Sequence, residues 1–218
     1  MSLEQLLAHQ QVWRGFKTQN LPKKSSGYPE LDELLQGGFP AQGVTALHTQ
    51  PAVGELRLLM PQLQQQQRLW ILINPPALPN AEFFAQHGIG NHQLLVLRPN
   101  SAKETLWATE QCLLSGSSHV LLWQQGMNVA QLKRLQLACQ HGDSRLFAFY
   151  PPHDSQFSLP FDLQLELQAH PQGLQVTVLK RRGGWPGQSR LIHFARHWPE
   201  LTQQQASQVI PFPQEKVG

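Results

Sequence analysis

The chain has 218 residues, of which 40% are hydrophobic and 14% are charged, and its formal net charge is +3. These values exclude a disordered acidic chain and a coiled coil, and the length suits one domain with a substantial core. Two cysteines, Cys112 and Cys139, are too few for a disulfide framework and indicate a reducing compartment. Because no apolar run reaches the roughly 20 residues of a membrane span, we expect a cytoplasmic protein.

The first segment of the chain is predicted to be an arm ahead of the core. Residues 3–13 carry leucines near helical spacing, which predicts a short amphipathic helix. Residues 20–27 are rich in Pro, Lys, Ser and Gly, which indicates a linker. A short helix around residues 31–35 should end at Gly37-Gly38. We therefore assign residues 1–24 to a helix and linker arm.

From residue 43 onward, short apolar runs alternate with segments of helical periodicity. Such runs are typical of strands that are buried on both faces of a parallel sheet. The predicted strands span residues 43–48, 69–73, 93–97, 119–123 and 145–150. The predicted helices span residues 55–67, 81–86, 103–114 and 129–140. Strands separated by helices imply right-handed crossovers, and hence an α/β fold with helices on both faces of the sheet.

The pattern changes after Pro151-Pro152. Residues 163–167 and 174–179 alternate between polar and apolar, which predicts a C-terminal antiparallel hairpin, and residues 191–194 are predicted to form a last strand. Residues 198–218 contain prolines and little apolar periodicity, which predicts an extended tail. The core domain is therefore assigned to residues 25–197.

Residues 26–45 resemble the segment ahead of the phosphate-binding loop in RecA-family recombinases. They carry Ser-Gly-x-x-x-Leu-Asp, then a Gly-Gly pair, then a proline and a glycine that lead into the first core strand. Within that superfamily, residues 12–15, 53–59 and 179–185 resemble ImuA, the RecA-like accessory protein of bacterial SOS mutagenesis cassettes. The chain also resembles SulA, the SOS-induced division inhibitor, which looks like a shorter relative with the same fold. The resemblance implies a RecA-like sheet with a degenerate P-loop.

The degenerate loop lies at residues 49–56, where a P-loop would have the pattern G-x-x-x-x-G-K-[ST]. Thr49 replaces the first glycine, Glu55 the lysine and Leu56 the hydroxyl residue, so that only Gly54 of the pattern remains. The missing lysine would neutralise the phosphates, and the missing hydroxyl would bind Mg²⁺. A glutamate facing a triphosphate would repel it.

Two further positions depart from the pattern that the resemblance implies. Trp123 ends a predicted strand where a RecA-type ATPase has the aspartate that orients magnesium. Pro75-Pro76 stand near the place of the glutamate that activates water. Phosphoryl transfer needs these groups together. We therefore predict a protein that is not an enzyme and has no catalytic residues, no cofactor and no metal.

Lys180, Arg181 and Arg182 precede Gly183-Gly184 and Trp185, at the end of the predicted hairpin. Three adjacent cations and a tryptophan suit contact with phosphate or carboxylate groups together with aromatic stacking. The alternative is a solvated turn whose tryptophan covers the edge of the core. The net charge permits direct contact with DNA but does not require it.

Two segments at the ends of the chain are also candidate partner sites. Trp13-Arg14 could dock on RecA or a like chain, and could equally pack on its own domain. Gln208 and Phe212 belong to a segment that resembles the Gln-x-Leu-x-Phe peptide by which repair polymerases dock on the sliding clamp. Alternatively, Ile210 and Phe212 fold back onto the edge of the sheet.

Three functions are compatible with these features. The preferred hypothesis is a non-catalytic adaptor in SOS-induced translesion synthesis that contacts RecA and an ImuB-like homologue of Y-family polymerases. The alternative is a SulA-like inhibitor that binds the division protein FtsZ, although such a chain would not need the basic hairpin and tail. A DNA-binding module is less favoured, because residues 124–128 and 151–157 contain no Lys or Arg.

Overall fold

The computed structural model describes residues 22–65, 68–124, 126–152 and 159–199. The predicted helix at residues 3–13, the pair Trp13-Arg14, and Gln208 and Phe212 lie outside the described residues. Within these ranges, no helix is long and apolar enough to cross a membrane.

Helices and strands alternate from Gly43 to Tyr150, and the last three elements of the described chain are strands. The first elements are β1 (Lys23–Lys24), α1 (Pro29–Leu35), β2 (Phe39–Pro40) and β3 (Gly43–His48). The next are α2 (Glu55–Gln64), β4 (Leu69–Ile73), α3 (Ala81–Gln86), β5 (Leu94–Leu97), α4 (Ala102–Leu114), β6 (Ser118–Trp123), α5 (Val129–His141) and β7 (Arg145–Tyr150). The last are β8 (Leu163–His170), β9 (Gly173–Arg181) and β10 (Ser189–His193).

Eight of these strands form one sheet in the order β10-β9-β8-β3-β7-β6-β4-β5. The six strands from β8 to β5 in that order are parallel, whereas β9 and β10 are antiparallel to their neighbours. The predicted mainly parallel sheet and C-terminal antiparallel hairpin are thereby confirmed. The more specific assignment to a RecA-like fold with a degenerate P-loop stays a prediction.

The core lies on both faces of this sheet. Strands β3 and β7 are buried at every residue, as expected for strands covered on both sides. One apolar cluster includes Leu31 of α1, Leu58 of α2 and Phe84 of α3. The other includes Leu113 of α4 and Leu135 of α5. Helices α1 to α3 therefore cover one face, and α4 and α5 cover the other.

The N-terminal boundary of the core differs from the sequence-based assignment. Lys23 and Lys24, which were assigned to the arm, form β1 and pair in antiparallel fashion with β2. Gly38 precedes β2 with a φ of +103°, and a Cβ atom there would lie 2.0 Å from the carbonyl oxygen of Lys24. The close approach of the two backbones therefore requires glycine at this position.

The C-terminal boundary also differs. Trp198 was assigned to the extended tail, but it is only 3% exposed and its ring stacks on Phe83 with 5.7 Å between centroids. Its indole N–H donates to the hydroxyl of Tyr28 at 3.3 Å. The core domain thus extends at least to Trp198, because this side chain completes an aromatic contact between segments far apart in the sequence.

Candidate functional site

The loop of residues 49–54 joins the carboxyl end of β3 to the first turn of α2. In open α/β sheets, ligands bind in the crevice outside the carboxyl ends of the strands. Ala52 has a φ of +67° and Gly54 a φ of +116°, so that the loop turns sharply before the helix begins. The site is thus in the place where a ligand is expected for this class of fold.

The side chain of Glu55 folds back into this loop. Its Oε1 atom accepts a hydrogen bond from the backbone N–H of Ala52 at 3.0 Å, and its Oε2 atom accepts one from the N–H of Gly54 at 3.1 Å. Glu55 is only 5% exposed. Free amides at a helix N-terminus form an anion site, and here a carboxylate of the chain itself occupies them. The sequence predicted that Glu55 would repel a phosphate, whereas its contact with the loop amides was missed.

Next to Glu55 is a cleft of about 460 Å³. Its walls are mainly aromatic and proline side chains. The lining residues are Thr49, Gln50, Pro51, Glu55, Pro76, Trp123, Gln124, Phe149, Tyr150, Pro151 and Pro152. The rings of Trp123 and Phe149 are parallel within 6°, with 4.4 Å between their centroids. Apolar walls with few polar groups are typical of a site for an organic or peptide ligand.

The structure brings together some of the positions predicted to form the degenerate loop. Thr49, Glu55 and Trp123 line the same cleft. Leu56 instead packs against the apolar core on the α2 side of the sheet. Gly54 lies against Phe194, whose ring would be 3.1 Å from a Cβ atom at that glycine. In the described ranges, no group of three or more His, Cys, Asp and Glu residues could hold a metal ion.

Replacing Glu55 tests its contact with the loop. Glu55→Ala leaves the N–H groups of Ala52 and Gly54 without their acceptor, so we expect the free energy of unfolding to fall by about 1–2 kcal/mol. Glu82→Ala is the control, because Glu82 is an exposed acidic residue in the first turn of α3. Urea unfolding measures both variants. Equal stability of the two would contradict the role of Glu55.

Two cations of the basic segment make contacts within the chain itself. Lys180 donates from Nζ to the carbonyl oxygen of Leu159 at 3.0 Å. Arg182 forms an ion pair with Asp162, at 3.6 Å between Nη1 and Oδ1. Trp185, in the turn between β9 and β10, is 83% exposed. Of the residues predicted to form this surface, Trp185 is therefore the most accessible.

Arg181 is part of a structural contact at the C-terminus of α1. Its Nη1 donates to the carbonyl oxygen of Leu34 at 3.3 Å. The Nζ of Lys23 donates to the carbonyl oxygens of Leu35 and Gln36, at 2.7 and 2.9 Å. Burial, and secondarily the charge of Arg181, lower the pKa of Lys23. The last turn of α1 has no basic residue of its own, and these two cations satisfy its free carbonyls.

No protein-family model matches the chain. The chain is 34% identical over 94 residues to the cell division inhibitor SulA of Edwardsiella piscicida. The similarity to SulA is therefore confined to part of the chain. The match covers 41% of this chain and 56% of the curated relative, so the chain spans little more than half the length of that relative.

A solved structure is also similar. The crystal structure of SulA from Pseudomonas aeruginosa is 25% identical, with a TM-score of 0.41, and the alignment covers 49% of this chain and 97% of that one. A TM-score at this level does not establish a shared fold. Membership of the ImuA family, which the sequence motifs suggested, is not shown by these comparisons.

Proposed function

We propose that this chain is a non-catalytic protein of the SOS response that inhibits cell division, as SulA does, by binding the tubulin-like protein FtsZ. The observation that carries the proposal is the identity of 34% over 94 residues with a cell division inhibitor. The proposal reverses the order of the hypotheses drawn from the sequence, in which the translesion adaptor came first. It also implies a cytoplasmic location, because FtsZ acts there.

The geometry of the site supports a role without nucleotide hydrolysis. The carboxylate of Glu55 occupies the amides that would hold a phosphate. Trp123 lies against Phe149, at the position where the resemblance to RecA would require an aspartate. Positioning and charge stabilisation are the main requirements of phosphoryl transfer. A binding function therefore agrees better with this cleft than an ATPase.

A second candidate function is an ImuA-like adaptor that binds RecA and an ImuB-like Y-family polymerase homologue, with the sliding clamp as a further partner. Two observations favour it. The match to SulA leaves more than half of this chain without a counterpart. The segment from Lys180 to Trp185, which carries the resemblance to ImuA, presents an exposed tryptophan on a basic hairpin. The comparisons add no support for this adaptor.

Binding measurements with purified proteins distinguish the two candidates. The full chain is immobilised, and FtsZ, RecA and the Y-family homologue are titrated separately. Saturable binding of FtsZ alone is the result that division inhibition predicts. Binding of RecA or of the polymerase homologue, with no binding of FtsZ, would reject division inhibition in favour of the adaptor.

Trp185 is expected to contribute strongly to whichever protein contact the hairpin makes. Tryptophans that become buried at an interface are often its hot spots, and truncation of a hot spot costs about 2 kcal/mol or more. Trp185→Ala should therefore weaken partner binding roughly 30-fold, with little change in thermal stability. Trp107→Ala, on α4, is the matched control because Trp107 is 60% exposed. If both substitutions weaken binding equally, the hairpin is not the contact surface.

A further inference from the structure

We propose that the end of the β9–β10 hairpin and the adjoining strand β1 form a binding surface for single-stranded nucleic acid. Binding to FtsZ, the proposed function, requires no nucleic acid, so this activity is a separate one. The surface is distinct from residues 124–128 and 151–157, whose lack of Lys and Arg counts against DNA binding there. It consists of Trp185 and six cations, which we call the cationic surface: Lys23, Lys24, Lys180, Arg181, Arg182 and Arg190.

Trp185 lies in an ordered turn between β9 and β10. The N–H of Gly187 donates to the carbonyl oxygen of Val178 at 2.7 Å, and the N–H of Gly184 donates to that of Arg181 at 3.3 Å. Tryptophan side chains are on average highly buried in folded proteins, yet Trp185 is 83% exposed. The turn therefore presents a flat aromatic ring to the solvent and not to the core.

Close contacts connect this turn to the end of α1 and to β1. The guanidinium of Arg181 lies against Gly184, where an added Cβ atom would collide with it. Its Nη1 also donates to the carbonyl oxygen of Leu34 at 3.3 Å, and Nζ of Lys23 donates to that of Leu35 at 2.7 Å. Both cations thus lie at the C-terminus of α1, so the turn and β1 belong to one continuous surface.

Positive charge is in excess on this surface. Strands β9 and β10 and the turn between them contain no acidic residue. Two carboxylates pair with the cationic surface, Asp162 with Arg182 at 3.6 Å and Glu33 with Arg190 at 3.2 Å. The side chains of both arginines are more than half exposed, at 59% and 52%. Each arginine has five N–H donors, so both retain donors for a further anion.

The cations are also close enough to repel one another. Burial lowers the pKa of Lys23, and the charge of Arg181 lowers it further. The carbonyl oxygens at the end of α1 accept hydrogen bonds from these two groups, but they do not neutralise a full positive charge. A polyanion that lies along the surface would relieve the repulsion, and the release of its counterions would favour binding.

The exposed tryptophan favours nucleic acid over an acidic peptide. Arginine and lysine bind phosphate and carboxylate alike, so the charge alone does not select the ligand. Trp185 adds a ring on which a base can stack, and such stacking requires no particular sequence. Each nucleotide supplies both a phosphate and a base, whereas Asp and Glu supply charge only. The bases must be unpaired, because the base faces in a duplex are stacked on one another.

The test measures the fluorescence anisotropy of a labelled oligothymidylate of about 15 nucleotides, titrated with the full chain. Binding should be saturable at low salt and should weaken as the salt concentration rises. Trp185→Ala should weaken binding at least about 5-fold, because the stacking ring is lost. Trp107→Ala, at another exposed tryptophan, on α4, is the matched control and should leave binding unchanged.

Lys24→Gln tests whether the strand follows the surface as far as β1. Lys24 is exposed, and the loss of one phosphate contact should reduce the slope of log affinity against log salt by about 0.7. Lys133→Gln, at an exposed lysine of α5, is the matched control and should leave the slope unchanged. Thermal melting of all four variants checks that each remains folded.

The absence of saturable binding at low salt would overturn the proposal, as would equal affinities of Trp185→Ala and Trp107→Ala. An unchanged salt slope in Lys24→Gln would also overturn it, because the strand would not reach β1. Unlabelled polyglutamate should compete far less well than unlabelled oligothymidylate of the same charge, and equal competition would reject nucleic acid as the ligand. No partner protein enters this assay, so its failure would leave the proposed division inhibition untouched.

Discussion

Between pH 6.5 and pH 5 the free energy of unfolding is expected to fall by roughly 2 kcal/mol because of one buried histidine, His119. The side chain lies on β6 and is 2% exposed. Its Nδ1 atom accepts a hydrogen bond from the backbone N–H of Arg145 at 3.0 Å, and its ring lies 5.0 Å from that of Trp70. Burial, and secondarily the charges of Arg145, Arg68 and Lys24, lower the pKa of His119 to about 3.

The direction of the effect depends on which state binds more protons. The pKa of this histidine is about 6.5 in the unfolded chain and about 3 in the folded protein. Between these values the unfolded state is protonated and the folded state is not, so acid favours unfolding. The contribution of His119 is complete above pH 6.5 and decreases as the pH falls toward 3, to a total loss on the order of 4 kcal/mol.

Urea unfolding at pH 7.0, 6.0 and 5.0 measures this dependence. His119→Asn keeps an acceptor for the N–H of Arg145 but removes the titrating ring, so its unfolding free energy should decrease less with acid than that of the parent. His193→Asn, on β10, is the control because His193 is exposed. The same acid dependence in His119→Asn and the parent would show that other groups cause the loss.

Gly142→Ala is expected to reduce the free energy of unfolding by on the order of 3 kcal/mol. This glycine ends α5, and a Cβ atom there would lie 1.8 Å from the carbonyl oxygen of Leu113 in α4. Since the obstructing atom belongs to the backbone, the two helix ends must separate to admit a methyl group. That separation would also disturb the hydrogen bond from Ser144 Oγ to the same carbonyl, which is 2.8 Å long.

Gly88→Ala is the matched control for this substitution. Gly88 has a φ of +75°, and an added Cβ atom there would meet nothing within 4 Å. Gly88→Ala should lower the free energy of unfolding only by the strain of an alanine in the left-handed conformation, roughly 1 kcal/mol. Chemical denaturation at pH 7 compares the two variants. If Gly142→Ala is no more harmful than Gly88→Ala, the ends of α4 and α5 are not held as closely as the distance indicates.

Much of the sheet could be predicted because its strands are short apolar runs bounded by turn residues. The strands Gly43–His48, Leu69–Ile73 and Arg145–Tyr150 have the predicted limits. Strand β1 was missed because two lysines have no apolar period, and their pairing with Phe39-Pro40 depends on a turn through Gly38. The pairing of two-residue strands such as β1 and β2 depends on backbone contacts that the pattern of apolar residues does not show.

The candidate site was only partly predictable, for a related reason. The sequence placed Thr49 and Trp123 at the ends of strands and Glu55 at the start of a helix, and the parallel sheet brings these positions together. It did not show that Glu55 would bind its own loop, because that contact depends on the left-handed conformation of Ala52. Likewise, the contact of Arg181 with α1 joins residues 147 positions apart, and no local pattern records it.

We propose above that this chain inhibits division by binding FtsZ without hydrolysing a nucleotide. The most direct measurement is sedimentation of FtsZ polymers, formed with GTP, in the presence of increasing amounts of the purified full chain. The account predicts that pelleted FtsZ decreases in a saturable manner near equimolar concentration, with no ATP consumed. Unchanged polymer mass at a several-fold excess of the chain, together with saturable binding to RecA or a Y-family homologue, would contradict it.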